Sequence, residues 1–388
     1  MKPLCLSGHG LLLLLLASPT GASSSAGSDE GPAPLRWAQA AAAVAQHPRV
    51  REAEARVGGA TGAIWSAQEI PNPVVTITGA DAFARNGPGS RREWGYSIEL
   101  PLEFLATRGS RVASARAAAR SVEQDALGVR AQVLLALRRD FVALAHAQAR
   151  LDAELELEAQ LAQLAALVRR RAERGEARPT EVPRVEIEVE RLRSAVDRAR
   201  SGAEALRQRL STWLGAPVRR VEADLAQAMP LPPLDGLQGR STSQVPAIRA
   251  GEARITAASE ALGAERWDRL PKLAIGHAHV EELDRSATSI SATLTVPLWN
   301  WNGGRIRQAG AQLVAERASL DATTRELRSS LTDAWQACSS GQAATRRFRD
   351  GILPRAEESA RTMGRAFELR EAGLLDVIAA RRVLLDSR

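Results

Sequence analysis

Two stretches of the chain alternate apolar and polar residues with a period of two. Trp94, Tyr96, Ile98 and Leu100 alternate with Glu93, Gly95, Ser97 and Glu99, and Ile290, Ala292, Leu294 and Val296 alternate with Ser289, Ser291, Thr293 and Thr295. The alternation predicts strands with one apolar and one polar face. Each has an upstream partner, residues 72–80 and 271–280, reached across polar, turn-rich links at "DAFARNGPGSRR" and "EELDRS". Two hairpins, 72–101 and 271–298, follow. Strands of about 9 to 11 residues have the length that a tilted strand needs to cross a bilayer.

Beyond each hairpin the period changes to that of a helix. Residues 108–174 contain no Pro, and Gly128 is the only Gly away from the ends. Such a run supports one helix of roughly 65 residues, about 100 Å long. Its apolar stripe, Leu137, Phe141, Leu144, Leu151 and Leu155, then Leu157, Leu161, Leu164 and Val168, keeps spacings of three, four and seven with one phase shift. Coiled packing with a local break is expected. A turn at "RGEARPTEVPR" leads to a returning helix over 182–214, and the second copy runs from 304 to 370 with a kink expected at Pro354.

The chain repeats itself. "HPRVREAEARV" from His47 matches "VPAIRAGEARI" from Val245 at an offset of 198, as do Pro73 and Pro271, while Pro101-Leu102 and Arg111 meet Pro297-Leu298 and Arg307 at 196. So long a period marks a duplicated domain rather than a solenoid. The expected organisation is a signal peptide at 1–26, a first repeat at 27–228, a Pro- and Gly-rich linker at 229–245 and a second repeat at 246–388. The counterpart of the first returning helix extends to about residue 409, so roughly twenty residues of the last helix are expected to be missing from this chain.

Composition adds direction to this outline. The first residues combine a basic start at Lys2, an apolar run from Leu11 to Ala17 and small residues up to Ala26. This layout predicts an exported protein, with cleavage after Ala22 or Ala26. Cys5 precedes the apolar run, so no lipid anchor is expected, and Cys338, left without a partner, reads as a packed, inert thiol. The net charge of +7 comes almost wholly from Arg interleaved with Glu. That is the pattern of a solvated helix surface, and the export signal speaks against nucleic acid. Neither a catalytic constellation nor a phosphate-cradling loop occurs, and the five His are scattered. An enzyme is not expected, nor is a cofactor. His277 and His279 share one strand face, but two His without Cys are read as a chance pair rather than a metal site. Trp94, Tyr96, Trp299 and Trp301 lie at strand ends and are read as an aromatic belt rather than a ligand platform.

Four strands cannot close a barrel. Either the sheet covers a soluble core, as in a periplasmic coiled-coil scaffold or adaptor, or strands of other copies complete it, and three copies supply twelve.

With the duplication, "NP" before the first strand, "PLEFLATRGSR", "VPLWNWNGGR" and "ILPRAEESARTMGRAFELREAGLLDVIAARRVLL", the chain resembles the TolC-type outer-membrane efflux protein family over nearly its whole length after the signal. The "PLE" form is more like the branch that works with heavy-metal efflux pumps. The resemblance implies a mainly α fold with a small β part. In it, a homotrimer forms a twelve-stranded barrel in outer-membrane lipid and a periplasmic tube of long antiparallel helices. It implies a passive exit duct, joined through a periplasmic adaptor to an inner-membrane pump. The adaptor-docking tips then fall at Gly175, Thr180, Glu181 and Val182 and at Gly373, Leu374, Leu375 and Val377, the Gly residues also serving as helix C-caps. Asp376 matches the position of a pore-narrowing carboxylate, against the plainer reading of a helix N-terminal acid. Ala379 stands where a second acid often follows in the family, so a single ring is expected.

Overall fold

The computed structural model describes residues 34–83, 90–225, 230–282 and 285–387. The expected signal peptide, with Cys5, lies outside the described residues.

A short strand, β1 (Leu35–Arg36), leads into α1 (Trp37–Ala43). Helix α2 (Pro48–Gln68) starts where a helix should. His47 is the N-cap, its Nδ1 accepts from Arg49 N at 3.2 Å, and Pro48 supplies a pre-set φ and needs no donor. Strands β2 (Val74–Phe83) and β3 (Ser90–Pro101) form the first hairpin. Helix α3 (Phe104–Glu173) then runs for 70 residues, about 105 Å, and α4 (Glu181–Leu214) returns beside it. After β4 (Val221–Glu222) and α5 (Leu234–Gln244), the second repeat follows as α6 (Pro246–Trp267), β5 (Lys272–Glu281), β6 (Ser286–Thr295), α7 (Gly303–Arg347), α8 (Leu353–Glu368) and α9 (Leu374–Ser387).

The four long strands make one antiparallel sheet in the order β2-β3-β5-β6, so the two hairpins join through β3 and β5, Tyr96 opposite His279 and Glu99 opposite Gly276. Among the described residues, β2 and β6 are each paired on one side only. The second long helix differs from the first. Residues Phe348–Ile352 form a turn of π-helix between α7 and α8. Pro354, in the first turn of α8, has no N–H to bond the carbonyl a turn earlier, and the widened π turn lies immediately before it.

Two apolar clusters hold the helices. One, midway along α3, gathers Val133, Leu137, Phe141 and Leu144 with Leu210 of α4, Val50 of α2 and the N-terminal Ala40 and Val44. Trp37 meets Phe141 edge-on at 5.7 Å, and Arg138 lies over the Trp37 ring. The β1–β4 pair, Leu35 opposite Val221, and the Arg36–Glu222 ion pair tie the start of the chain to the segment after α4. The other cluster lies at the far end: Leu157, Leu161, Leu164 and Val168 pack on Val185 and Val189 of α4 and on Phe367, Leu374, Val377 and Ile378 of the second repeat.

Between these clusters the coiled seam does not follow every leucine. Leu155 is exposed, and Glu154 takes the buried position, three residues before Leu157. Its Oε1 accepts from Arg150 one turn earlier at 2.8 Å. Asp140, two heptads before it on the same seam, is also buried and faces Arg209 at 3.0 Å. The phase shift thus puts carboxylates, not methyl groups, at two seam positions, each offset by an arginine whose charged head reaches water. The stretch 229–245, read as a linker, carries helix α5. Its composition is a poor helix former, so packing on α6 and α7 must hold it, with Trp335 Nε1 donating to Pro232 O at 2.9 Å.

Candidate pore, tips and lipid-facing surface

The sheet has two unlike faces. On one lie Val75, Ile77, Trp94, Tyr96, Ile98, Leu100, Leu273, Ile275, Ile290 and Leu294, with His277, His279, Glu281 and Thr288 on the same face towards the hairpin end. On the other lie Thr76, Thr78, Ser97, Glu99, Ala274, Gly276, Ala278, Ser289, Ser291 and Thr293. Period-two backbone and antiparallel register produce this separation with no further device. The small polar face is also the crowded one. A Cβ on Gly95 would lie 3.3 Å from Thr78 Oγ1 and 3.4 Å from Val280 Cγ2, and one on Gly276 would lie 2.5 Å from Ser291 Oγ. Only residues without a side chain fit at these two positions.

Trp94 and Tyr96 sit on the apolar face near the hairpin end, their rings stacked at 6.3 Å, and Trp94 Nε1 donates to Glu281 Oε2. His277 and His279 stand beside Tyr96, with His279 Nδ1 2.9 Å from Thr288 Oγ1. No group of three or more metal-ligating side chains exists among the described residues. Trp299 and Trp301 follow β6 at the opposite, helical end, and both are exposed. Cys338 lies within α7 but is exposed, not packed as the sequence suggested. Its helical phase puts it on a face of α7 that no described element covers, and α7 has no buried residue.

Both helical tips close alike. At the end of α3, Gly175 has φ +74°, and Glu176 N donates to Arg171 O at 2.8 Å. At the end of α8, Arg370 has φ +69°, and Glu371 N donates to Ala366 O at 2.7 Å. These are two copies of one Schellman-type turn at an offset of 195. The left-handed residue of the second tip is therefore Arg370, not Gly373. Gly373 instead belongs to the start of the next helix, where its N–H donates to Asp376 Oδ2 at 3.1 Å, so Asp376 caps the first turn of α9.

At the same offset Asp376 matches Glu181 and Val377 matches Val182. Thr180 stands at the N-cap of α4 without a side-chain cap bond. Leu374 and Val377 are buried in the tip cluster, whereas Leu375, Asp376, Gly175 and Thr180 are exposed. Sequence reasoning passed over the groups that join the tips. Arg171 donates to the carbonyls of Phe367 and Glu368, Arg370 pairs with Glu176 at 2.9 Å, and Arg382 pairs with Glu188. The repeat offset is the only signal that could have exposed them. Nearby, burial pushes the Arg381 guanidinium down from its ordinary value.

No family model matches the chain. It is similar to the cobalt-zinc-cadmium resistance protein CzcC of Cupriavidus metallidurans, 24% identical over 334 residues that span 84% of this chain and 78% of that protein. Its fold is similar to that of a membrane protein from Pseudomonas aeruginosa, with a TM-score of 0.75 at 16% identity, over 90% of this chain and 87% of the other. It is similar as well to the outer membrane protein VceC from Vibrio cholerae, with a TM-score of 0.71 at 16% identity, over 90% of each chain. A mainly α fold of long helices with a small sheet is thus shared with these solved structures along 90% of the chain, and sequence likeness to CzcC runs over 84% of it.

Proposed function

We propose that three copies of this chain form a passive exit duct in the outer membrane, fed by an inner-membrane pump through a periplasmic adaptor. The observation that carries this reading is the sheet: apolar on one face, small and mostly polar on the other, and continued at its foot by a helix about 105 Å long. An open edge in lipid leaves backbone groups unsatisfied, and a four-stranded sheet with edges at β2 and β6 is a third of a twelve-stranded barrel. In the closed trimer β6 of each copy pairs with β2 of the next. The lumen is then lined mainly by Ser, Thr, Ala and Gly, with Glu99 adding one carboxylate per copy and Val74 and Val280 on the same face.

The tips face the adaptor, with Gly175, Thr180, Glu181 and Val182 on one and Gly373, Leu374, Leu375 and Val377 on the other. Three Asp376 side chains narrow the entrance with negative charge while each caps its own helix. The likeness to a cobalt-zinc-cadmium resistance protein supports divalent metal ions as the exported class. A duct of this kind does no chemistry, so specificity belongs to the pump.

The test is to extract the protein from outer membranes in detergent and image single particles. Threefold particles with a rod of about 100 Å are expected, and loss of the gene should sensitise cells to zinc, cobalt or cadmium. Monomers without a detergent belt would overturn the reading and favour a periplasmic scaffold.

A further inference from the structure

We propose that the inner-leaflet boundary of the membrane lies on the helix ends below the sheet, where Trp65 of α2 and Trp267 of α6 anchor the chain in the lipid headgroup layer beside Trp299 and Trp301. The inference rests on the barrel reading and adds to it where the lipid ends.

The height of the sheet is the first argument. On the apolar face the band ends towards the hairpin turns: His277 and His279 lie on it beside Tyr96, Trp94 and Glu281 are opposite one another, and one step further out Arg92 pairs with Asp81. From Glu281 down to Leu273 is eight steps along β5, about 27 Å, and roughly 21 Å of height once the strand tilts by about 40°. An outer-membrane barrel carries an apolar band about 25 Å tall. The strands are therefore too short by about 4 Å, and the headgroup layer lies below that again.

The surface continues downward in the chemistry that the missing height requires. Below the strands, Leu298, Ile70, Leu105 and Leu270 are exposed, and Trp299 is 92% exposed, Trp65 71%, Trp301 62% and Trp267 51%. The chain has eight Trp in 388 residues, and half of them gather at this one level. Indole places an apolar ring and an N–H donor at a boundary between hydrocarbon and water, which is why it concentrates at membrane interfaces. Arg266, Arg269 and Arg305 are exposed around Trp267 and Trp301, where their guanidinium groups face phosphate.

The level is built into the fold. Arg108 donates through Nε and Nη2 to the Gln68 carbonyl at 3.1 and 2.9 Å, which holds the last turn of α2, with Trp65, beside the first turns of α3. Lys272 Nζ lies 3.2 Å from both Glu103 and Asp268, which fixes the end of α6, with Trp267, against the foot of β5.

The experiment uses trimers reconstituted in vesicles of brominated phosphatidylcholine, whose bromine quenches indole within the bilayer. Chains are prepared with one Trp kept at position 94, 65, 267 or 335 and Phe at the others. Trp94, Trp65 and Trp267 should each lose about half their emission or more, and Trp335, bonded to Pro232 far down the tube, should keep its emission. Quenching of Trp94 without quenching of both Trp65 and Trp267 would overturn the inference and leave the duct standing, with the helix ends covered by a neighbouring copy or facing the lumen. An unquenched Trp94 would overturn both. The single variants W65F and W267F, which keep seven Trp, give the same answer if the multiple variants do not assemble: each should lower the quenchable share of the emission relative to the unaltered chain.

Discussion

Arg370 Nη2 donates to Glu176 Oε2 at 2.9 Å, and the two residues occupy neighbouring positions of the same turn in different repeats. Glu176 follows the left-handed Gly175, whereas Arg370 is itself the left-handed residue. One tip uses a residue without a Cβ to make the turn, and the other uses a long cation that reaches across to its partner. The duplication has diverged at the position where backbone freedom and charge compete.

That divergence predicts opposite outcomes for two substitutions. Gly175→Ala forces a Cβ into the left-handed region and should cost about 1 kcal/mol of local stability. Exchange of the amides at 171–176 should quicken about fivefold. Arg370→Gly relieves a similar strain and gives up an exposed ion pair worth about 0.2–1 kcal/mol, so exchange at 366–371 should stay within about twofold of the parent.

Asp376 can be tested for its two roles separately. Asn at this position still accepts from the Gly373 N–H, so D376N should leave exchange at 373–377 unchanged. Its neutral ring should lower the preference for cations in planar bilayers, most clearly at low salt, where the Debye length is longest. D376A loses the cap as well, at about 0.5–2 kcal/mol. A D376N channel with unaltered ion preference would remove Asp376 from the constriction.

The seam of α3 predicts its own sensitivities. Leu144 is fully buried between the long helices and the N-terminal segment, and Leu144→Ala should destabilise by about 2–5 kcal/mol, read as a lowered denaturation midpoint in detergent. Arg209→Leu leaves the buried Asp140 carboxylate without its cation and should cost about 1–3 kcal/mol. Asp140→Asn in the same background should recover part of that loss, because the uncompensated charge is gone.

The two faces of the sheet should answer differently to a charge. Val75→Arg, opposite Ile98, puts a guanidinium on the lipid side, at about 2–4 kcal/mol near the middle of the bilayer, and should reduce the trimer found in outer membranes. Thr76→Arg, one residue away, points into the lumen and should assemble at parental levels. Equal loss in both variants would reverse or abolish the face assignment.

The main parts were legible in the sequence because the periods that produce them are local. Alternation over Trp94–Leu100 and Ile290–Val296 is a property of neighbouring residues, and so is the absence of Pro along α3. The offset that pairs Pro73 with Pro271 needs only the chain written twice. What depends on cross-chain register was not legible. Glu154, and not Leu155, lies in the seam because the phase of α3 is set by α4 against it. Cys338 is exposed because no other described element covers its side of α7.

The sequence by itself determined two strand hairpins, each followed by a long helix and a return, since pleat and helix periods are written residue by residue. Only the tertiary structure decided how the two hairpins pair through β3 and β5, that Arg370 carries the left-handed turn, and which arginines bind the two tips together. Those outcomes follow from packing between segments nearly two hundred residues apart, where the position of one side chain is set by groups that no local pattern brings beside it.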